Sequence, residues 1–197
     1  SLRYDDRTTD ANTSELSTDA EGALQFLQKD NRFRHEQMGI FGHSEGGTIA
    51  WMVAARNHTV GFIVSMGGVV APMETMVFQF CKAGVDSSQI PATLESLKQH
   101  RWFECFLDIN GKKLVRKCRC PVLAVNGDKD VQVPICNVKY MQQWKKPHPL
   151  SEFVIYPDHN HLMQRCEEES VEYGKIEETI DPAFLAELTA FIQKICR

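Results

Sequence analysis

The stretch GIFGHSEGGTIA, residues 39–50, sets Ser44 midway between Gly42 and Gly46, with Gly47 next. A serine hydroxyl becomes a useful nucleophile only when a neighbouring base takes its proton. Glycines two positions away on both sides suit a sharp strand-to-helix turn that lifts the hydroxyl out of a sheet. Side chains at positions 42 and 46 are expected to collide there with neighbouring backbone. The same turn aims a helix N-terminus, and the backbone N–H of Glu45, at developing negative charge. The competing reading is a glycine-rich junction in which Ser44 does no more than cap the helix.

A base and an acid to orient it should lie on other turns. GDKDVQVP, residues 127–134, offers two acids. Asp130 fits better, lying further along the turn, just before Val133-Pro134 open the next element. Asp128 is the alternative, suited also to bonding its own turn. PDHNHLMQ, residues 157–164, offers two histidines. His161 is preferred, because Leu162 and Met163 behind it would anchor it, and His159 is the alternative. A His-x-His pair could also bind metal, but the sequence has no matching third ligand motif.

These turns need elements to position them. Leu2–Tyr4 is expected as a short strand entering the charged turn Asp5-Asp6-Arg7. Residues 17–28 carry Leu16, Ala20, Ala23, Leu24 and Leu27 at helical spacing beside or within them. Strands are expected at 38–41, 61–66, 121–126 and 152–156, and helices at 48–56, 134–144 and 182–196. Residues 70–110 mix helical stretches with the aromatics Trp102, Phe103 and Phe106, read as core in preference to a pocket wall. Alternating strands and helices imply an α/β fold, a mostly parallel sheet with helices on both faces. Sites in such sheets gather at the carboxyl ends of the strands, where all three turns fall. The chain order Ser44, Asp130, His161 is that of an α/β-hydrolase triad.

Composition is consistent with this. The chain has 197 residues, 43% hydrophobic and 24% charged, with net charge −4. That suffices for one domain burying roughly 70% of its unfolded surface. It supplies no basic field for nucleic acid or an anionic membrane. The run Lys112, Lys113, Arg116, Lys117, Arg119 and the cluster Glu167-Glu168-Glu169 are read as solvated. No apolar run reaches the ~18 residues that span a bilayer, and the start lacks the pattern of a signal peptide. A cytoplasmic location is expected, or a periplasmic one if a signal segment precedes residue 1. The seven cysteines are odd in number and scattered, so reduced thiols are expected. Cys118-Arg119-Cys120 is too tight for a zinc knuckle and has no second pair.

LRYDDR, IFGHSEGG, CPVLAVNGDKDVQVP, YPDHNHLMQ and EYGKIEETIDP together resemble bacterial esterase-like serine hydrolases of the α/β-hydrolase superfamily, across nearly the whole chain. The resemblance implies Ser44 as nucleophile, Asp130 as acid and His161 as base. It prefers His161 to His159 because the family pattern is Asn-His followed by an apolar residue. It implies a single domain over 1–197, with 70–115 as a reduced cap, and no metal or organic cofactor. The expected activity is cleavage of a carboxylic ester or related acyl bond on a small-molecule substrate. A peptidase, a thioesterase and a catalytically inactive scaffold are the alternatives. Thr8-Thr9-Asp10-Ala11-Asn12 stands where the family has a glycine-rich turn. The family also has more sheet before YDDR, including the loop that donates a second oxyanion N–H. A donor of that kind is worth about 10²–10³ in turnover. The expectation is therefore a fragment, a weakly active truncated form, or a homodimer that covers an exposed sheet edge.

Overall fold

The computed structural model describes residues 1–4, 7, 10–169 and 172–197. Asp5, Asp6, Thr8 and Thr9, within the expected charged turn and the segment after it, lie outside those residues. Leu2 and Tyr4 are exposed, and residues 2–4 form no strand. A three-residue segment gains strand geometry only by hydrogen-bonding to a neighbour, and the described sheet begins further along the chain.

Helix α1 spans Thr13–Leu27. It starts at Thr13 rather than Ser17 because Asn12 and Glu15 close a capping box. The Asn12 Oδ1 accepts from the Glu15 N–H and the Glu15 Oε2 accepts from the Asn12 N–H, both at 3.0 Å. Strands β1 (Gly39–His43), β2 (Phe62–Met66), β3 (Val122–Gly127) and β4 (Glu152–Tyr156) form one sheet in the order β1-β2-β3-β4. Every pair is parallel. Helix α2 (Glu45–Arg56) links β1 to β2, and α7 (Cys136–Trp144) links β3 to β4. Between β2 and β3 run α3 (Pro72–Lys82), α4 (Ile90–Leu97), α5 (Arg101–Leu107) and α6 (Gly111–Lys117), and α8 (Pro182–Ile195) follows β4.

The strand period of two divides the core. Ile63, Val122 and Ala124 face α1, α2, α6 and α7, packing with Leu24, Trp51, Val53, Val115 and Met141. Their strand neighbours Phe62, Val64, Met66, Leu123 and Val125 face the other way, onto Phe184 and Phe191 of α8. Both faces of β2 and β3 are buried, so apart from Ser65 and Asn126 their residues are apolar or glycine. A third cluster joins α3, α4 and α5 through Met76, Ile90, Leu94 and Phe106. The ring of Trp102 stacks on Phe106, centroids 4.8 Å apart, and meets Phe103 edge-on. The basic run belongs to α6 and its outlet, with Lys112, Lys113, Arg116, Lys117 and Arg119 exposed and Leu114 and Val115 turned inward. Because all four strands are parallel, the turns after His43, Met66, Gly127 and Tyr156 share one rim of the sheet.

Candidate active site

Ser44 sits between β1 and α2 with φ 56° and ψ −121°. A non-glycine residue with positive φ costs on the order of 1–3 kcal/mol and persists only where its surroundings enforce it. The Ser44 N–H is fixed to the Met66 carbonyl at 2.8 Å. Its carbonyl accepts from Gly47 at 2.9 Å and Thr48 at 3.3 Å. The hydroxyl makes no capping bond to the helix, so Ser44 is no ordinary capping serine. Glu45 opens α2, placing its N–H in the first turn, where backbone donors are unpaired within a helix.

The turn's glycines are not equivalent. A Cβ at Gly42 would lie 2.0 Å from the Gly46 carbonyl oxygen, and one at Gly47 would lie 2.8 Å from the Gly68 Cα. A Cβ at Gly46 would meet nothing within 4 Å. The expected collision at position 46 is therefore absent. Gly46 contributes the backbone that position 42 must clear, and the second position that must stay bare is 47.

His161 and Asp130 are both buried, at 3% and 5% exposure. Their Nδ1 and Oδ2 lie 2.7 Å apart. The carboxylate accepts at Oδ2, so Nδ1 carries a proton. Asp130 is itself held at Oδ1 by the N–H groups of Gln132 and Val133, each at 2.8 Å. Asp128, the alternative acid, is exposed and accepts from the Asp158 N–H at 2.8 Å. His159, the alternative base, is turned to a different carboxylate, with Nε2 2.7 Å from Asp181 Oδ2 and Nδ1 2.6 Å from the Pro157 carbonyl. The two histidines thus do not converge as a metal pair. Among the described residues no group of three or more His, Cys, Asp or Glu is arranged to hold a metal ion.

Three contacts bring His161 to Ser44's turn. The His43 and His161 rings lie 4.5 Å apart. His43 Nε2 is 2.9 Å from the His161 carbonyl and donates to it. Gly67, next to the Met66 that holds Ser44, has φ +56°, and a Cβ there would press on the His161 ring at 3.1 Å. Burial holds His43 below the ordinary histidine range. Asn160 stiffens the same loop, its Oδ1 accepting from Leu162 at 2.9 Å and Gln164 at 3.1 Å. Among the described residues Ser44 Oγ makes no hydrogen bond, and unliganded serine sites commonly tighten only around substrate.

Two participants have no sequence signal. The Glu45 carboxylate Oε1 accepts from Thr13 Oγ1 of α1 at 2.6 Å and from Trp102 Nε1 of α5 at 2.8 Å. The residue after Ser44 is thereby tied to both flanking helices. Gly67's seat for the imidazole is equally invisible, since Gly67-Gly68 reads only as the end of a strand.

A parallel sheet with helices on both faces and a strand–Ser–helix turn at its rim is the α/β-hydrolase fold. Residues 3–186 match the Prolyl oligopeptidase family, and the chain belongs to that family. Among solved structures it is similar to dipeptidyl peptidase 4 of Porphyromonas gingivalis, with TM-score 0.61 and 17% identity, over 90% of this chain and 22% of that one. It is similar to an esterase of Pyrococcus furiosus, with TM-score 0.65 and 14% identity, over 93% of this chain and 63% of that one. It is also similar to acetyl xylan esterase 1 from a Thermoanaerobacterium species, with TM-score 0.64 and 17% identity, over 93% and 53%. The chain thus spans about a fifth to under two thirds of these proteins' lengths. No curated protein sequence matches it significantly. Among the described residues no helix is long and apolar enough to cross a membrane.

Proposed function

We propose that this chain is the catalytic portion of a serine hydrolase that cleaves a carboxylic ester or related acyl bond. The observation that carries the reading is the buried Asp130–His161 pair, 2.7 Å apart, on a loop seated against the turn that strains Ser44. In this reading His161 Nε2 takes the Ser44 proton as Oγ attacks the carbonyl carbon. Asp130 keeps the proton on Nδ1 and stabilises the imidazolium. The Glu45 N–H donates to the oxyanion. The imidazolium then protonates the leaving group, and an acyl-serine forms. Water, losing a proton to His161, attacks the acyl carbon and returns the serine.

Family membership and the solved neighbours, esterases and a peptidase among them, support acyl transfer and leave the leaving group open to esters or amides. The ester is favoured on leaving-group chemistry, because an alcohol departs from the tetrahedral intermediate more readily than an amine.

The test is labelling with a fluorophosphonate probe, read by peptide mass spectrometry, with p-nitrophenyl acetate and a peptide p-nitroanilide as substrates. A single adduct on Ser44, lost in Ser44→Ala, with ester turnover exceeding anilide turnover, is expected. A folded protein without the adduct would make the chain an inactive scaffold.

A further inference from the structure

Cys118 and Cys120 take no part in the Ser44 site. They lie between α6 and β3, just before Pro121. Cys118 leaves the helix with φ −62° and ψ 125°, extended backbone in which residues i and i+2 face one side. The two thiols therefore share a face, Sγ to Sγ 3.6 Å, while Arg119 between them is exposed. Cys118 is 1% exposed and Cys120 half-buried.

Lys145, which follows α7, is also buried, at 7% exposure. Among the described residues its ammonium makes one hydrogen bond, a long one of 3.4 Å to the Lys146 carbonyl. A buried ammonium is costly without an anion nearby, and the Lys145 charge reaches both thiols. The hydrogen bond with Cys120, and then the Lys145 charge, hold Cys118 below the ordinary thiol range. Cys120 is pushed up, first by that hydrogen bond and then by burial. Cys120, half-buried against Cys118, leaves the pair a side open to a small oxidant.

We propose that Cys118 and Cys120 are a redox-active dithiol, with Lys145 as counter-ion of the attacking thiolate, which a hydroperoxide converts to an intramolecular disulfide. The Cys118 thiolate attacks the terminal peroxide oxygen. The S–O bond forms, the O–O bond breaks, and the departing alkoxide takes a proton and leaves as the alcohol. Cys118 is now a sulfenic acid. The Cys120 sulfur attacks it, the S–S bond forms, the S–O bond breaks, and hydroxide leaves with the Cys120 proton as water. Two thiols are oxidised and one hydroperoxide is reduced. An extended i, i+2 pair spans about 6.7 Å between Cα atoms, near the upper limit for a disulfide, so the bond should be easily reduced again.

The whole chain is treated with hydrogen peroxide, blocked with iodoacetamide and digested with trypsin. Cleavage after Lys117, Arg119 and Lys129 leaves the dipeptide Cys118-Arg119 tied by the disulfide to peptide 120–129. That species is expected to form on peroxide treatment and to vanish with dithiothreitol. Lys145→Gln should slow it several-fold at unchanged circular dichroism. Cys120→Ser should leave a sulfenic acid on Cys118 that dimedone captures. Oxidation of Cys81 without the linked peptide, or an unchanged rate in Lys145→Gln, overturns the proposal.

Discussion

Replacing Gly42 by alanine tests whether the tightness of the turn is what strains Ser44. The added Cβ would fall 2.0 Å from the Gly46 oxygen, 2.1 Å from its carbonyl carbon and 2.6 Å from the Gly47 nitrogen. Close carbon–oxygen contacts settle at about 3.3 Å, so β1 and the first turn of α2 must part by about 1 Å. All three atoms are backbone, and no rotamer change relieves them. Overpacking of this kind costs about 1–3 kcal/mol, and more where backbone must move. A loss of about 3 kcal/mol is expected. Gly46→Ala puts its Cβ in open space inside α2, so it should be neutral or stabilising by up to about 1 kcal/mol. Urea unfolding followed by circular dichroism reads the difference. With a slope of about 2 kcal/mol/M, Gly42→Ala should move the midpoint down by about 1.5 M, while Gly46→Ala leaves it in place or raises it. Fluorophosphonate labelling of Ser44 should fall only in the former. Equal losses in both variants, or wild-type stability and labelling in Gly42→Ala, would refute the close-approach argument.

Asp130→Asn should keep the loop, because an amide oxygen still accepts from Gln132 and Val133, yet lower ester turnover by about 10⁴ as the imidazole loses its enforced tautomer; a fall below about tenfold in p-nitrophenyl acetate hydrolysis would remove Asp130 from the reaction. His43 is held below its ordinary value chiefly by burial, so below about pH 6.5 the unfolded chain binds the extra proton first. Its contribution is complete above that pH and is lost as pH falls through the folded value. Urea midpoints between pH 7 and pH 5 should accordingly fall less steeply in His43→Asn than in wild type, and identical slopes would contradict the assignment.

Much of this fold is legible because its strands are buried on both faces. FIVSM and PVLAVN have no polar face to confuse the period, and each ends at a glycine or turn that fixes its exit. The start of α1 was equally available in Asn12-Thr13-Ser14-Glu15, a capping box that outranks the apolar spacing beginning at Leu16. Leu2–Tyr4 shows the converse: three residues with strand composition that do not join the described sheet. The candidate site is legible where one turn offers one candidate, as at Ser44, and less so where a turn offers two, as at Asp128 and Asp130. It is not legible where a contact joins distant elements. Nothing in the sequence ties Trp102 to Glu45, because their meeting depends on where α5 settles against α1 and α2. Gly46 illustrates another limit: spacing identifies the turn, but only the path of the backbone tells which glycines must stay bare.

The loop after β4 shows why residue type alone cannot choose between His159 and His161. Both are buried, and both lie 2.7 Å from a carboxylate. The difference is in the second nitrogen. His159 faces acceptors on both sides, Asp181 at Nε2 and the Pro157 carbonyl at Nδ1, so neither nitrogen is open to a serine. It is a strut between the loop and the first turn of α8, where Asp181 also caps the helix through the Ala183 N–H. That N–H first, and His159 second, hold the Asp181 carboxyl below its usual range, as expected of a carboxylate kept charged for structure. His161 commits only Nδ1, and among the described residues its Nε2 has no hydrogen-bond partner. The strut fixes the loop to α8, and the fixed loop holds His161 beside the strained serine turn. In the proposed reaction a structural and a chemical histidine two residues apart are parts of one arrangement, and the partner of the second nitrogen separates them.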